Sequence, residues 1–304
     1  MMNFKQITPL DYPDLKRFFN HQKYRLCVYS LSSLLVWSND VYQIYGATDG
    51  DILYVYAEYP SRPQDRHLIL PISPSLEFSP DKLRDLAQDA GIQSYWFVPD
   101  HYIEACGISS VESYFTVRPQ PHFDDYVYLT EDLAELKGNR YAKKRNLIHQ
   151  FDRAYLSKNR VSVEKISPSV AGECLDFLKK WCESRDCHIE RDEDFTCEKQ
   201  AVSNTLENID ILGVEGLLVR VDGDVSAFVV AAYLTDDMGV MHFQKAYQHI
   251  RGLYQFLDNL CVRELFKGYT RLNKESDMNL PGLAQSKKSY WPVEKVRSFE
   301  LVLR

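Results

Sequence analysis

The spacing of apolar residues alternates between two periods along the chain. Ile52–Tyr59, His67–Ile72, Tyr95–Val98 and Val111–Val117 read as strands, and Asp49-Gly50 makes a turn before the first of them. Asp11–His21 reads as a short amphipathic helix after Pro9. Ser79-Pro80 followed by Asp81–Ala90 has the cap, first-turn proline and terminal Gly91 of another. Arg118–Asp125 carries Pro119 and Pro121 and is expected to cross between elements. The second half is more regular. Asn139–Tyr155 predicts a helix with Tyr141, Ile148, Phe151 and Tyr155 on one face. Val161–Ile166 is a strand, and Ser169 caps a helix whose apolar positions include Val170, Cys174, Leu178 and Trp181. Glu198–Ile211 is helical and ends at Gly213. Leu217–Val221 and Val225–Leu234 flank Asp222-Gly223-Asp224, a strong hairpin signal. Val240–Ala246 is a strand, Leu253–Phe266 a helix, Tyr269–Leu272 a strand, Leu283–Ser289 a helix, and Ser298–Leu303 a last strand.

Composition adds a large aromatic core. The 304 residues include 20 Tyr and 15 Phe, so many phenolic hydroxyls need partners. The length suits two domains. The formal net charge is -7, so contact with nucleic acid must be local. That charge is uneven. Met1–Leu136 holds 10 Lys and Arg against 19 Asp and Glu, whereas Lys137–Arg304 holds 26 against 24. Two modules are therefore expected, 1–130 and 131–304, with the boundary between Arg118 and Asn139. Seven irregularly spaced cysteines and a polar amino terminus read as reduced thiols in a cytoplasmic protein. The most apolar early stretch, Leu26–Trp37, contains three serines and falls short of the ~20 apolar residues of a membrane span. No membrane span is expected, which leaves peripheral membrane contact open. Cys182-x4-Cys187-His188, with Cys197 nearby, lacks metal-ligand spacing, and no metal is expected.

The element order of the second half, β-α-α-β-β-β-α-β-α-β, is similar to that of the GNAT acyltransferase fold. In that fold two central strands splay apart and the donor enters between them. The resemblance implies an α+β (mixed α/β) fold of two tandem GNAT-like modules. At the expected donor loop the chain reads His249-Ile250-Arg251-Gly252-Leu253-Tyr254. Arg251 and Gly252 are its candidate cofactor contacts, with helix amides behind them. Tyr254 stands where a small residue is usual, which counts against tight coenzyme A binding.

Three segments resemble the soluble C-terminal domain of the phosphatidylglycerol lysyltransferases and its uncharacterised relatives. Gly138-Asn139-Arg140-Tyr141-Ala142-Lys143-Lys144-Arg145-Asn146 resembles that family's Gly-x-x-Tyr-x-x-Lys-Arg-Asn signature. His242-Phe243-Gln244-Lys245-Ala246 and Asn273-Lys274-Glu275-Ser276-Asp277, running on through Gly282 to Lys287-Lys288-Ser289-Tyr290-Trp291-Pro292, are the others. The match is good from Tyr126 to Arg304 and loose before it. It departs at Met278-Asn279, where the family has glycine, and at Ala284, where it has arginine. Characterised members move an amino acid from aminoacyl-tRNA to a lipid headgroup, and Fem-type peptidoglycan aminoacyltransferases share the tandem fold. The resemblance therefore implies an acyl- or aminoacyltransferase that needs no resident cofactor. Its donor would be aminoacyl-tRNA or an acyl-CoA, and its acceptor a small molecule, peptide or lipid headgroup. A non-catalytic binding protein and an acetyl-CoA-dependent N-acetyltransferase are the alternatives.

Glu275 and Asp277 are the candidate bases, two apart and on one face of an extended chain. Salt bridges to Lys274, Lys287 or Lys288, or a turn cap made by Asp277, would explain them equally. Lys143, Lys144, Arg145 and Asn146 are candidate tRNA or phosphate contacts. They belong to a run with six Lys or Arg between Lys137 and Arg153 that also reads as a solvated helix. Lys287 is a candidate anion ligand, and Asn273 and Ser289 accompany it. His242 is a candidate substrate contact or a core histidine bonded to a Tyr hydroxyl. Its spacing from Lys245 puts the two on opposite strand faces.

Overall fold

A computed structural model of the chain describes residues 3–183 and 193–304. Cys187, His188 and most of the acidic stretch 190–194 lie outside the described residues. The first strands are β1 (Lys5–Gln6), β2 (Gln43–Asp49), β3 (Ile52–Tyr59), β4 (Arg62–Leu68), β5 (Ser94–Pro99) and β6 (Phe115–Pro119). They are followed by β7 (Asp125–Leu129), β8 (Val161–Lys165), β9 (Val214–Val221), β10 (Asp224–Thr235), β11 (Met238–Ala246) and β12 (Arg271–Asn273). Last come β13 (Glu294–Val296) and β14 (Ser298–Leu303).

Among the described residues these strands form two sheets of seven, mixed with helices in an α+β fold. The first sheet has the order β1-β2-β3-β4-β5-β14-β6 and the second β13-β7-β12-β11-β10-β9-β8. The chain thus passes from the first sheet to the second at 120–124 and back at Arg297. The last strand, β14, inserts between β5 and β6, while β7 inserts between β12 and β13. Each sheet contains one parallel pair. β4 meets β5 only at Leu68 and Tyr95, and β11 meets β12 from Met238–Arg271 to Val240–Asn273. Beyond those contacts the strands part.

The hairpin between β9 and β10 turns on Asp222 and Gly223, both at positive φ, the twist a two-residue hairpin requires. The helix Pro80–Ala90 stops where Gly91 turns left-handed. Several expectations shift. Pro13 splits the first helix into short pieces, Pro9–Asp11, Tyr12–Leu15 and Lys16–Phe19. Val111 lies inside a short helix, Ile108–Glu112, and β6 begins only at Phe115. β4 ends at Leu68, and Ile72 makes a single bridge to Leu53. The helix expected after Ser169 starts at Pro168 and runs to Glu183.

The second sheet is buried on both faces. Leu218, Phe228, Val230 and Val240 join a core shared with the first sheet and the helices Pro168–Glu183 and Glu193–Glu207. Leu217, Val219, Val229 and Met241 face the other way, under the helices Ala142–Ala154 and Leu253–Leu265. This strict alternation breaks once in β11. Phe243 pairs with Val230 and Met241 with Ala231, so His242 is the extra residue of a bulge. Phe243 consequently returns to the shared core rather than to the face of Met241.

Candidate functional site

The bulge decides where His242 points. Its imidazole reaches the segment before and inside the helix Leu31–Val36, contributed by the first half of the chain. Nε2 lies 3.1 Å from Ser32 Oγ and 3.4 Å from Ser30 Oγ, and Nδ1 lies 2.8 Å from Glu275 Oε1. The partners of His242 are thus two serines and a carboxylate, in place of the expected Tyr hydroxyl. Lys245 is on the same face, three residues on, where it pairs with Glu198 at 2.7 Å and lies over Trp181. A regular strand would separate the two; the extra residue reverses the parity.

Glu275 stands two residues past Asn273, the last β12 residue paired to β11, and His242 stands two past Val240. The pair therefore spans the opening between the parted strands. Glu275 has φ +58, a left-handed conformation rarely used by such a residue and costly by about 1–2 kcal/mol. Its backbone N–H donates to Asn273 Oδ1 at 2.6 Å. Lys287 holds the same loop from below. Its ammonium donates to the backbone carbonyls of Lys274, Glu275 (3.0 Å) and Ser276 (2.5 Å). A lysine has three N–H donors, so in this arrangement none is left for the anionic substrate that the sequence suggested. Burial pulls its pKa down to about 8, and the charge of Lys274 works in the same direction.

The left-handed turn also separates the two candidate bases. Glu275 meets His242, whereas Asp277 accepts a 2.5 Å hydrogen bond from the Tyr126 hydroxyl and a 3.0 Å bond from the Asn279 N–H. The shared face expected of an extended chain does not form, and Asp277 caps the following turn. Beneath the opening sits Asp125, fully buried on β7. It accepts from the Cys27 N–H at 2.6 Å and from Asn273 Nδ2 at 2.8 Å. Burial raises its pKa to about 6 against these bonds, and the nearby charge of Glu275 raises it further. Sequence reasoning missed Asp125, Ser30 and Ser32. The serines were visible only as interruptions of an apolar run.

The basic run divides. Arg145 donates to the carbonyls of Leu136 and Gly138, the latter at 2.7 Å, and so holds the turn before its own helix. Lys144 donates to Ser289 Oγ at 2.7 Å and lies 3.7 Å from the centre of the Tyr290 ring. Burial lowers its pKa to about 8. Arg140 pairs with Asp132 and Lys137 with Glu135. Lys143, Asn146 and Arg153 are exposed. Arg251 is exposed beside Gly252, which has φ +87 and lies against the helix Ala142–Ala154. A Cβ on Gly252 would run into the Leu147 carbonyl. Close backbone packing therefore accounts for this glycine. Among the described residues no group of three His, Cys, Asp or Glu side chains is placed to hold a metal ion, and no helix is long and apolar enough to cross a membrane.

A family model described as "Phosphatidylglycerol lysyltransferase, C-terminal" matches residues 19–300. A crystal structure of a conserved protein of unknown function from Bacteroides thetaiotaomicron superposes with a TM-score of 0.89 at 26% identity, covering 100% of both chains. The C-terminal domain of a putative lysylphosphatidylglycerol synthetase from Agrobacterium fabrum superposes with a TM-score of 0.63 at 14% identity, covering 97% of this chain and 92% of the other. No curated protein matches the chain.

Proposed function

The chain belongs to the phosphatidylglycerol lysyltransferase C-terminal family, and on that premise we propose that it transfers an aminoacyl group from aminoacyl-tRNA to an amine or hydroxyl. The observation that carries this reading is the Glu275 carboxylate at the mouth of the β11–β12 opening, held from behind by His242 at 2.8 Å. We read each sheet, with its covering helices, as one GNAT-like module and the second opening as the reacting one. The acceptor nitrogen or oxygen attacks the donor carbonyl carbon and gives its proton to Glu275. A new amide or ester bond forms, the ester bond to the carrier breaks, and the carrier oxygen takes up the proton. We assign stabilisation of the developing oxyanion to backbone amides of β11 beyond Val240, where its pairing with β12 ends. Lys143 and Arg153, exposed on the helix Ala142–Ala154, supply phosphate contacts for the carrier. The packing of Gly252 against Leu147 leaves little support for a pyrophosphate cradle, which disfavours an acyl-CoA donor.

The test offers the full chain a panel of aminoacyl-tRNAs and, separately, acyl-CoAs, each with amine and hydroxyl acceptors. Transfer is expected from aminoacyl-tRNA. Glu275→Gln should lower turnover roughly a hundredfold or more, the scale of general-base catalysis. Transfer from acyl-CoA alone would overturn the donor assignment, and full turnover by Glu275→Gln would overturn the base assignment.

A further inference from the structure

A serine, a histidine and a glutamate in hydrogen-bonded sequence suggest a nucleophile triad. Burial runs the wrong way for one. Ser30 and Ser32 are 2% and 3% exposed and the His242 side chain 1%, while the Glu275 side chain is 19% exposed. The end that can meet a substrate is the carboxylate.

The hydrogens can be assigned one by one. An ionised carboxylate only accepts, so the proton between Glu275 and His242 belongs to Nδ1. In the neutral ring Nε2 is then an acceptor, and the Ser32 hydroxyl at 3.1 Å donates to it. Ser32 has then spent its proton, so the 2.9 Å contact between the two hydroxyls takes its proton from Ser30, whose Oγ also lies 3.1 Å from the Tyr233 carbonyl. Among the described residues no hydrogen bond reaches Glu275 Oε2, which leaves that oxygen for the acceptor. Three other contacts immobilise the glutamate's backbone: Asn273 at its N–H, Lys287 at its carbonyl, and the Tyr126 N–H at 3.2 Å on that same carbonyl.

We infer that His242 is a positioning residue: it aims Glu275 Oε2 at the acceptor, and Ser32, from the first half of the chain, fixes the ring tautomer that permits this. The role rests on the assignment of Glu275 as the base. It also means that the site in the second sheet is completed only by the Leu31–Val36 segment.

Imidazole 15N NMR on the full chain tests the geometry without an activity. Wild type should show His242 with a protonated Nδ1 and an unprotonated Nε2. Glu275→Ala should flip the ring to the Nε2–H form, and Ser32→Ala should move the Nε2 signal. A wild-type ring in the Nε2–H form, or a ring indifferent to both changes, overturns the proposal. Kinetics with lysyl-tRNA, followed as loss of its ester, supply the second readout. His242→Phe should lower kcat about tenfold to a hundredfold, the effect of losing one hydrogen bond to a charged group, with KM little changed. His242→Asn, whose amide can replace the Nδ1 donor, should restore most of that loss. Full turnover by His242→Phe beside an inactive Glu275→Gln overturns the positioning role alone. Full turnover by Glu275→Gln overturns the base assignment and this role with it.

Discussion

The two places where parallel strands part are built alike and filled differently. In the first sheet the last contact is Leu68 with Tyr95, and the residues two farther on are Leu70 and Phe97. In the second it is Val240 with Asn273, and the corresponding residues are His242 and Glu275. Phe97 and Glu275 have nearly the same left-handed φ, +56 and +58. In the first opening the buried Tyr29 hydroxyl bridges the gap, accepting from the Leu70 N–H and donating to the Phe97 carbonyl, each at 3.2 Å. Phe97 packs edge-on against Phe123 and Trp96. In the second the bridge is His242 to Glu275, both ionisable, with Asp125 beneath. One opening is closed as core. The other keeps charge where burial makes it costly, and that contrast supports the proposal that the second is the reacting one.

The largest expected effect concerns that cost. Asp125 has a folded pKa of about 6, above its ordinary 3.8. The folded state therefore binds more protons than the unfolded state between those values, and the group's contribution to stability falls as pH rises through about 6. The stability of wild type minus that of Asp125→Asn should drop by up to about 3 kcal/mol between pH 4 and 7. A flat difference in denaturant melts would show that the second opening carries no such burden. The next effect belongs to the first opening. Tyr29→Phe strands the Leu70 N–H and should cost about 1–3 kcal/mol, with transfer activity retained. Loss of activity at unchanged stability would erase the contrast. The smallest effect lies outside both openings. Lys143→Ala should reduce the salt slope of tRNA binding by about 0.7–0.9. Arg145→Ala should instead lower the melting temperature, because its guanidinium holds the Leu136 and Gly138 carbonyls. An unchanged slope for Lys143→Ala would return this face to the role of a solvated helix.

Much of the second sheet was legible because its strands are apolar and its hairpin turns on Asp222-Gly223. Other elements hid for physical reasons. β7 follows two prolines and is short, and its place between β12 and β13 depends on partners far along the chain. β2 carries Gly46 and polar residues within its pattern. Glu275 was legible as a candidate by its segment, yet its separation from Asp277 follows from a left-handed turn that period-2 spacing cannot foresee. The parity of His242 and Lys245 was misread because a bulge adds one residue to the count. Lys287 reads as an anion ligand, and only tertiary structure puts three carbonyls around it. Asp125 gains its character from Cys27 and Asn273, which sequence distance conceals.

The central claim is that the second opening reacts while the first only supports. Turnover and melting temperature of Glu275→Gln and Tyr29→Phe, measured side by side with aminoacyl-tRNA, test it most directly. Gln can still accept from His242, so Glu275→Gln should melt near wild type and lose nearly all turnover, while Tyr29→Phe should melt lower and keep its turnover. Normal turnover in Glu275→Gln, or its loss in a Tyr29→Phe chain that is still folded, would contradict the account.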